Sequence, residues 1–296
     1  MDTGWLQDFM VLADTGNFTR AAQLRNISQA AFSRRIMALE SWVGATLVDR
    51  GTYPTTLTPE GVRFRKEASD LHGRLLELRS AVSAPEESDQ SHVRIAMPHI
   101  LSMSRFPQWW PHWSAENRLS TALTIGNISE IVPVFLSGGV DVMICHQGDQ
   151  LPMVPDPQIF EHHVIETEKF QPYVACPVQG RPNLAFPGSE KAPVPLISYS
   201  RGTYFARLVD IVQEQAPEKL WGRHDIDASM SGVLLNCIAA GLGVGWLPES
   251  AVSPIFAKVI TPIAAPGWSM NLRVVAYAHR RNRTLGAELL WERLTQ

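Results

Sequence analysis

The sequence predicts an α/β protein made in two parts, and three observations carry that reading. The first 83 residues show helical apolar spacing with few interruptions, and from residue 92 short apolar runs alternate with helical stretches. Between them Ala84-Pro85-Glu86-Glu87-Ser88-Asp89-Gln90-Ser91 is polar, acidic and broken by proline, the composition of a linker. With 296 residues the chain has room for two or three compact units.

The helices of the first part follow one another closely. Trp5, Phe9 and Leu12 share a face of the first helix, which Gly16-Asn17 ends. A short second helix carries Ala21, Ala22 and Leu24, and Asn26-Ile27-Ser28 makes the next turn. Ser28 suits an N-cap, and the third helix runs to about Val43, where Gly44 stops it. Residues 47–57 are non-helical, with Gly51, Pro54 and a threonine run; Thr58-Pro59 then opens a new helix.

That helix carries Phe64, Ala68, Leu71, Leu75, Leu78 and Val82, with gaps alternating four and three. This is the spacing of a coiled-coil seam, which a second copy would cover; packing on the chain's own core is the alternative.

In the second part, strands are expected at 93–97, 122–125, 141–145, 170–176, 196–199, 244–247 and 272–278. Helices are expected at 101–116, 129–137, 204–215, 230–240 and 285–294. Such alternation predicts open, mostly parallel sheets, and about 200 residues of it suggest two lobes.

Bulk composition narrows the function. An apolar fraction of 45% with 19% charged residues is that of a globular protein, not a disordered chain. Net charge −3 and a pI near 6.3 give no global basic excess, so any nucleic-acid contact must be local. Cys145, Cys176 and Cys237 are scattered without a C-x-x-C, which reads as reduced cytoplasmic thiols. Met1-Asp2-Thr3-Gly4 leads straight into a helical pattern, which reads as the absence of a signal peptide.

The most apolar run, residues 233–247, contains Asn236, Gly241, Gly243 and Gly245 and suits a helix turning into a strand better than a membrane span. His162-His163 has no metal-ligand spacing. There is no G-x-S-x-G, P-loop or strand-borne G-x-G-x-x-G. A non-enzyme without metal or cofactor is expected.

The third helix has the pattern of a DNA-reading element. At about 100° per residue Phe32, Ile36, Leu39 and Val43 fall on one side. Ala30, Ser33, Arg34 and Met37 lie roughly opposite, Gln29 and Arg35 on the flanks. Small residues admit close approach to the major groove, and Gln29, Ser33 and Arg34 can reach base edges or phosphates; Arg35 suits a phosphate. A solvated polar face on an ordinary bundle would look similar. Residues 1–84 hold ten basic against nine acidic side chains, which permits DNA binding without requiring it.

The run Asn17-Phe18-Thr19-Arg20-Ala21-Ala22, then Leu24, Ser28-Gln29, Phe32-Ser33-Arg34-Arg35-Ile36 and Leu39-Glu40, closely resembles the LysR-type transcriptional regulators. Gly44, Leu47, Arg50 and Leu57-Thr58-Pro59-Glu60-Gly61 extend the resemblance over about 60 residues with spacing intact. Val48 stands where the family commonly has Phe, and Ala30 where Pro is usual.

The resemblance implies a winged helix-turn-helix over 1–58, a dimerising linker helix over 59–84 and a hinge over 85–91. Residues 92–296 would form an effector-binding domain like the periplasmic binding proteins, with lobe I at about 92–165 and 266–296 and lobe II at about 166–265. It implies homodimers or homotetramers on dyad promoter sites, with DNA contacts at Gln29, Ser33, Arg34 and Arg50, and Arg35 less firmly placed.

Four segments of the second part enter helices after strand ends, where open α/β sheets bind ligands. Helix N-termini and Arg201 would suit a small carboxylate there. The expected cleft is lined by His99, Ser102, Asn127, Ser198, Arg201, Thr203 and Ser229. Simple helix capping by the hydroxyls and pairing of Arg201 with a neighbouring acid are the alternatives.

Trp5-Leu6, Asp8-Phe9, Arg25-Asn26, Tyr199-Ser200-Arg201 and Trp246-Leu247-Pro248-Glu249 further resemble the hypochlorite-responsive branch of the family. That would imply sensing by side-chain oxidation, with Met230 beside the cleft as the residue oxidised.

Overall fold

The computed structural model describes residues 3–25, 27–52, 54–65, 67–68, 71, 91–115, 119–151, 155–177, 184–281 and 283–296. Its first part is a three-helix core: α1 (Thr3–Thr15), α2 (Phe18–Leu24) and α3 (Gln29–Val43). Phe9, Leu12, Ala21, Ala22, Phe32, Ile36 and Leu39 fill the space between them, as their helical spacing predicts.

Ser28 caps α3 and Gly44 ends it as the sequence predicts, and Asn17, expected only to end α1, also caps α2. The Asn17 side chain accepts from the Arg20 N–H at 3.0 Å and Ser28 Oγ from the Ala31 N–H at 3.2 Å. Gly44 ends α3 at φ 77°, a left-handed conformation that suits glycine.

A short antiparallel hairpin follows, β1 (Val48–Asp49) and β2 (Thr56–Leu57). Thr58 then caps α4, helical over residues 59–65 and again at 67–68 and 71. Its hydroxyl accepts from the Gly61 N–H at 3.0 Å and donates to the Thr46 carbonyl at 2.7 Å.

The seam residues of α4 begin in the chain's own core. Ala68 is buried there and Phe64 meets Phe9 edge-on at 5.4 Å, so this end of the seam follows the alternative reading. Leu71 is 47% exposed, which makes it the first described position open to a second copy. Leu75, Leu78 and Val82 lie outside the described residues.

In the second part, β3 (His92–Met97), β4 (Ser120–Ile125) and β5 (Val142–Gly148) are parallel, with β3 in the middle. The helix expected at 101–116 is two helices, α5 (His99–Ser104) and α6 (Phe106–Ser114), which meet at Arg105 with Pro107 in the first turn of α6. α7 (Ile128–Leu136) connects β4 to β5.

The expectation of mostly parallel sheets needs correction. β11 (Met270–His279) runs antiparallel to β5 and to β6 (Phe160–Ala175), and β6 runs antiparallel to β9 (Gly245–Pro248) and β10 (Ile260–Pro262). The sequence suggested β6 only from Phe170 onward, because Glu161-His162-His163 and Glu166-Thr167-Glu168-Lys169 read as polar. This strand is long because it serves both lobes. Phe160 to Phe170 pairs with β11, and Phe170 to Ala175 pairs with β9 and β10.

The second lobe adds β7 (Val194–Tyr199), α8 (Tyr204–Gln215), β8 (Gly222–Ala228) and α9 (Ser231–Ala239), with β7 parallel to β8. The bridge Leu196–Val244 joins this pair toward β9. β8 was not expected, because its Arg223-His224-Asp225 is a charged run of the kind that protects a sheet edge. α10 (Leu285–Thr295) closes the chain against β3 and α6.

The two parts touch. α1 and α2 pack on α7, and Arg65 reaches Asp156 at 3.1 Å. No helix among the described residues is long and apolar enough to cross a membrane.

A Cβ at Gly61 would come within 2.0 Å of the Leu47 carbonyl oxygen, so α4 can sit on the hairpin only with glycine there. Gly61→Ala should therefore destabilise the N-terminal domain by about 2 kcal/mol, the scale of a forced backbone shift. Urea denaturation followed by tryptophan fluorescence would measure it, and a midpoint equal to that of the parent protein would refute the packing argument.

Candidate functional site

The solvent face of α3 is the first site. Gln29, Ala30, Arg34 and Met37 are exposed, and Ser33 is half-buried beside them. Arg34 has no ion-pair or hydrogen-bond partner among the described residues, so its charge is available to a ligand.

The other two arginines are held within the fold. Arg35 reaches back to the fully buried Asp8 at 3.3 Å, which Arg25 also binds at 2.6 Å. The phosphate role expected of Arg35 thus competes with an ion pair that fixes α3 against α1. Arg50 donates to Glu40 at 3.1 Å and to Ser33 Oγ at 3.3 Å, with its guanidinium 5.2 Å from the Phe18 ring centre.

Glu40, the one acidic residue of α3, also accepts from the Leu47 and Val48 N–H groups at 2.9 and 3.1 Å. Its charge is spent on the hairpin, and α3 shows no free carboxylate to repel a phosphate backbone. Arg50 is aimed across the face of α3 by these contacts. The short wing and the start of α4 enclose a shallow groove beside it, lined by Thr46, Asp49, Arg50, Leu57 and Pro59.

The residues of the expected cleft fall into two groups. His99 and Ser102 follow β3 and Asn127 follows β4, so these residues share the carboxyl edge of parallel neighbours. Ser198 lies near the end of β7, Arg201 and Thr203 follow it and Ser229 follows β8, again on one edge. α5 packs on α9, and the Tyr204 hydroxyl donates to the Leu151 carbonyl at 3.0 Å and accepts from the Gly148 N–H at 2.8 Å. The two carboxyl edges therefore converge on each other.

Several hydroxyls in this group are already committed. Ser102 Oγ donates to the His99 carbonyl at 2.8 Å, and Thr203 Oγ1 donates to the Ser200 carbonyl at 2.9 Å while capping α8. A hydroxyl has one proton, so neither can donate to an anion in this state. Ser198 Oγ lies 2.7 Å from His224 Nδ1. Asn127 sits at the N-cap of α7, its N–H bound to Glu130 at 2.7 Å. Arg201, His99 and Ser229 are exposed with no side-chain partner among the described residues. Met230 is the half-buried N-cap of α9.

Sequence reading missed the buried network behind this edge. His146 on β5 lies 2.7 Å from Glu168 on β6, and Glu168 also accepts from the Ser250 N–H at 2.5 Å and its hydroxyl at 2.9 Å. Burial opposes ionisation of Glu168, but the bonds from His146 and Ser250 outweigh it and hold the carboxyl below its ordinary value. With Glu168 ionised and only able to accept, His146 Nε2 must be the donor. Its Nδ1 is buried without a partner among the described residues.

Phe205 stacks on Phe170 at 5.3 Å and on Tyr199 at 5.2 Å, and lies 5.4 Å from the His146 ring. Tyr199 and Ser231 share a buried hydrogen bond of 2.9 Å. Burial raises the Tyr204 hydroxyl to about 12 and the Cys145 thiol to about 12, so both stay protonated and Cys145 is no reactive thiolate.

Family models match both parts of this chain: the bacterial regulatory helix-turn-helix of the lysR family over residues 3–62, and the LysR substrate binding domain over residues 86–296. The chain belongs to the LysR family of transcriptional regulators. It is similar to the HTH-type transcriptional regulator YjiE of Escherichia coli, 29% identical over 297 residues covering 96% of this chain and 94% of YjiE.

Among solved structures it is similar to Vibrio fischeri DarR in complex with DNA, at 29% identity and TM-score 0.60 over 99% of this chain and 98% of DarR. Full-length HypT of Salmonella typhimurium, a hypochlorite-specific LysR-type regulator, gives 26% identity and TM-score 0.59 over 99% of this chain and 97% of HypT. This LysR regulator thus carries a DNA-binding helix-turn-helix and a two-lobed α/β regulatory domain.

The lowered Glu168 carboxyl makes the regulator's stability depend on pH in one direction. Its contribution is complete above the ordinary carboxylate range and is lost as pH falls through the lowered folded value. Glu168→Gln should cost about 3 kcal/mol at neutral pH, the scale of breaking a buried pair, and should flatten the loss of stability on acidification. Chemical denaturation of both proteins from neutral to acid pH tests this; parallel pH profiles would exclude the assigned role.

Proposed function

We propose that this LysR regulator is a cytoplasmic homodimer or homotetramer on dyad promoter sites, switched by a small carboxylate held between the lobes. Arg201 carries the effector reading. It stands at the carboxyl end of β7, exposed and without an acidic partner among the described residues, in a turn that Gly202 makes at φ 86°. The alternative of a local ion pair for Arg201 finds no support in the fold.

A planar guanidinium beside helix N-termini suits a carboxylate, and exposed His99 and Ser229 supply further donors. Asn127 and Ser198 complete the edge, while Ser102 and Thr203 serve the ends of α5 and α8. The copies would associate along α4 from Leu71 onward. At the DNA, Gln29, Ser33 and Arg34 would read bases, and Arg50 would meet a phosphate from its position over Ser33. Arg35 acts through Asp8 to set the angle of α3.

Oxidation at Met230 is the second reading, favoured by the full-length likeness to HypT, which is described as hypochlorite-specific. The half-buried N-cap position of Met230 gives an oxidant limited access.

A thermal-shift screen of small organic acids separates the two readings. A carboxylate that stabilises the parent protein but not Arg201→Ala supports the cleft. A response confined to hypochlorite and lost in Met230→Leu would replace it. In gel shifts, Arg34→Ala should weaken specific DNA binding by about 1–3 kcal/mol per half-site. Undiminished affinity would remove Arg34 from the interface.

A further inference from the structure

Met37 is 46% exposed, a large apolar side chain left uncovered in the middle of the DNA-reading helix. At about 100° per residue, Ala30, Arg34, Met37 and Ser41 occupy a sector of roughly 60° centred away from the buried Phe32, Ile36 and Leu39. All four are exposed. This ridge contains one unpaired cation, two small residues and one flexible apolar side chain, and no acid.

A duplex offers a single apolar group on its base edges in the major groove, the C5-methyl of thymine. We propose that Met37 is a specificity-determining residue that packs on a thymine methyl in each half-site. Ala30 keeps the helix close enough to the groove floor for the contact. Met37 sits about 4.5 Å further along the helix axis than Arg34, at 1.5 Å per residue. Base pairs are spaced about 3.4 Å apart, so this thymine lies one or two pairs from the base or phosphate that Arg34 meets.

Arg34 fixes the position by charge, and Met37 reads the methyl group by exclusion of water. The unbranched thioether suits this role because it can adjust to the methyl without straining the helix.

The inference rests on DNA binding by α3, and the test keeps the two separable. Duplexes selected by the purified full-length protein from a random pool would be resynthesised with deoxyuridine in place of each half-site thymine in turn. Deoxyuridine keeps the pairing and removes only the methyl. One such replacement should weaken binding about fourfold per half-site, the worth of one buried methyl-sized group.

Met37→Gln should bind both duplexes equally, and Met37→Leu should restore the difference. Tight binding that is indifferent to deoxyuridine at every half-site thymine overturns the proposal and leaves DNA binding intact. A penalty that persists unchanged in Met37→Gln assigns the methyl contact to another residue. Failure to enrich any duplex removes the DNA reading of α3, and this proposal with it.

Discussion

The shape of the regulatory half depends on one buried carboxylate at the strand that both lobes share. Glu168 lies opposite Leu272 in the β6–β11 register, close to where β6 leaves β11 for β9 and β10. Its oxygens are held from one side by His146 of β5 and from the other by Ser250, just beyond β9. A buried carboxylate with missing partners is costly, so three distant segments must arrive together for the lobes to form at all. Phe170, Tyr199 and Phe205 stack beside it and exclude water from the network.

The N-terminal domain uses the same device twice. Asp8 is fully buried and binds Arg25 and Arg35, which joins α1 to the helix-turn-helix at two places. Glu40 binds the two backbone N–H groups that enter the hairpin and then Arg50. Asp8 lies behind the recognition helix and Glu40 on it, and each positions a cation at the helix margin. The helix is thus aimed by buried charges, while its apolar side only fixes its depth in the core.

Most of the N-terminal domain was legible because its signals are local. Caps at Ser28 and Thr58, the stop at Gly44 and the apolar spacing of α3 each lie within a few residues of the feature they determine. The regulatory half was legible in its alternation, which local periodicity also records. The long strand β6 was not, because a strand at a junction pairs differently along its length and its sequence shows no single period. Nor was β8, whose charged residues suit an edge and read as loop.

The spacing along α4 marks a stripe that needs a cover, yet Phe64 and Ala68 are covered by the chain's own core. Periodicity shows that a stripe needs covering and does not show which surface covers it.

Pairing state was the property most hidden from the sequence, and it sorts the candidate residues. Arg35 and Arg50 meet acids 27 and 10 residues away, partners that no local window reveals. Arg34 and Arg201 meet none among the described residues. Arg20, Arg207 and Arg281 are likewise exposed without an acidic partner among the described residues, so position is what singles out Arg34 and Arg201. These two lie at the opposite working ends of the molecule, one on the groove-reading helix and one at the carboxyl edge of the second lobe. On the proposed function each would offer an uncompensated cationic fork to an anion, a phosphate or base edge in one case and a carboxylate in the other. Pairing thus sorts these four: Arg35 fixes the scaffold, Arg50 is aimed from it, and Arg34 and Arg201 keep their charge for a ligand.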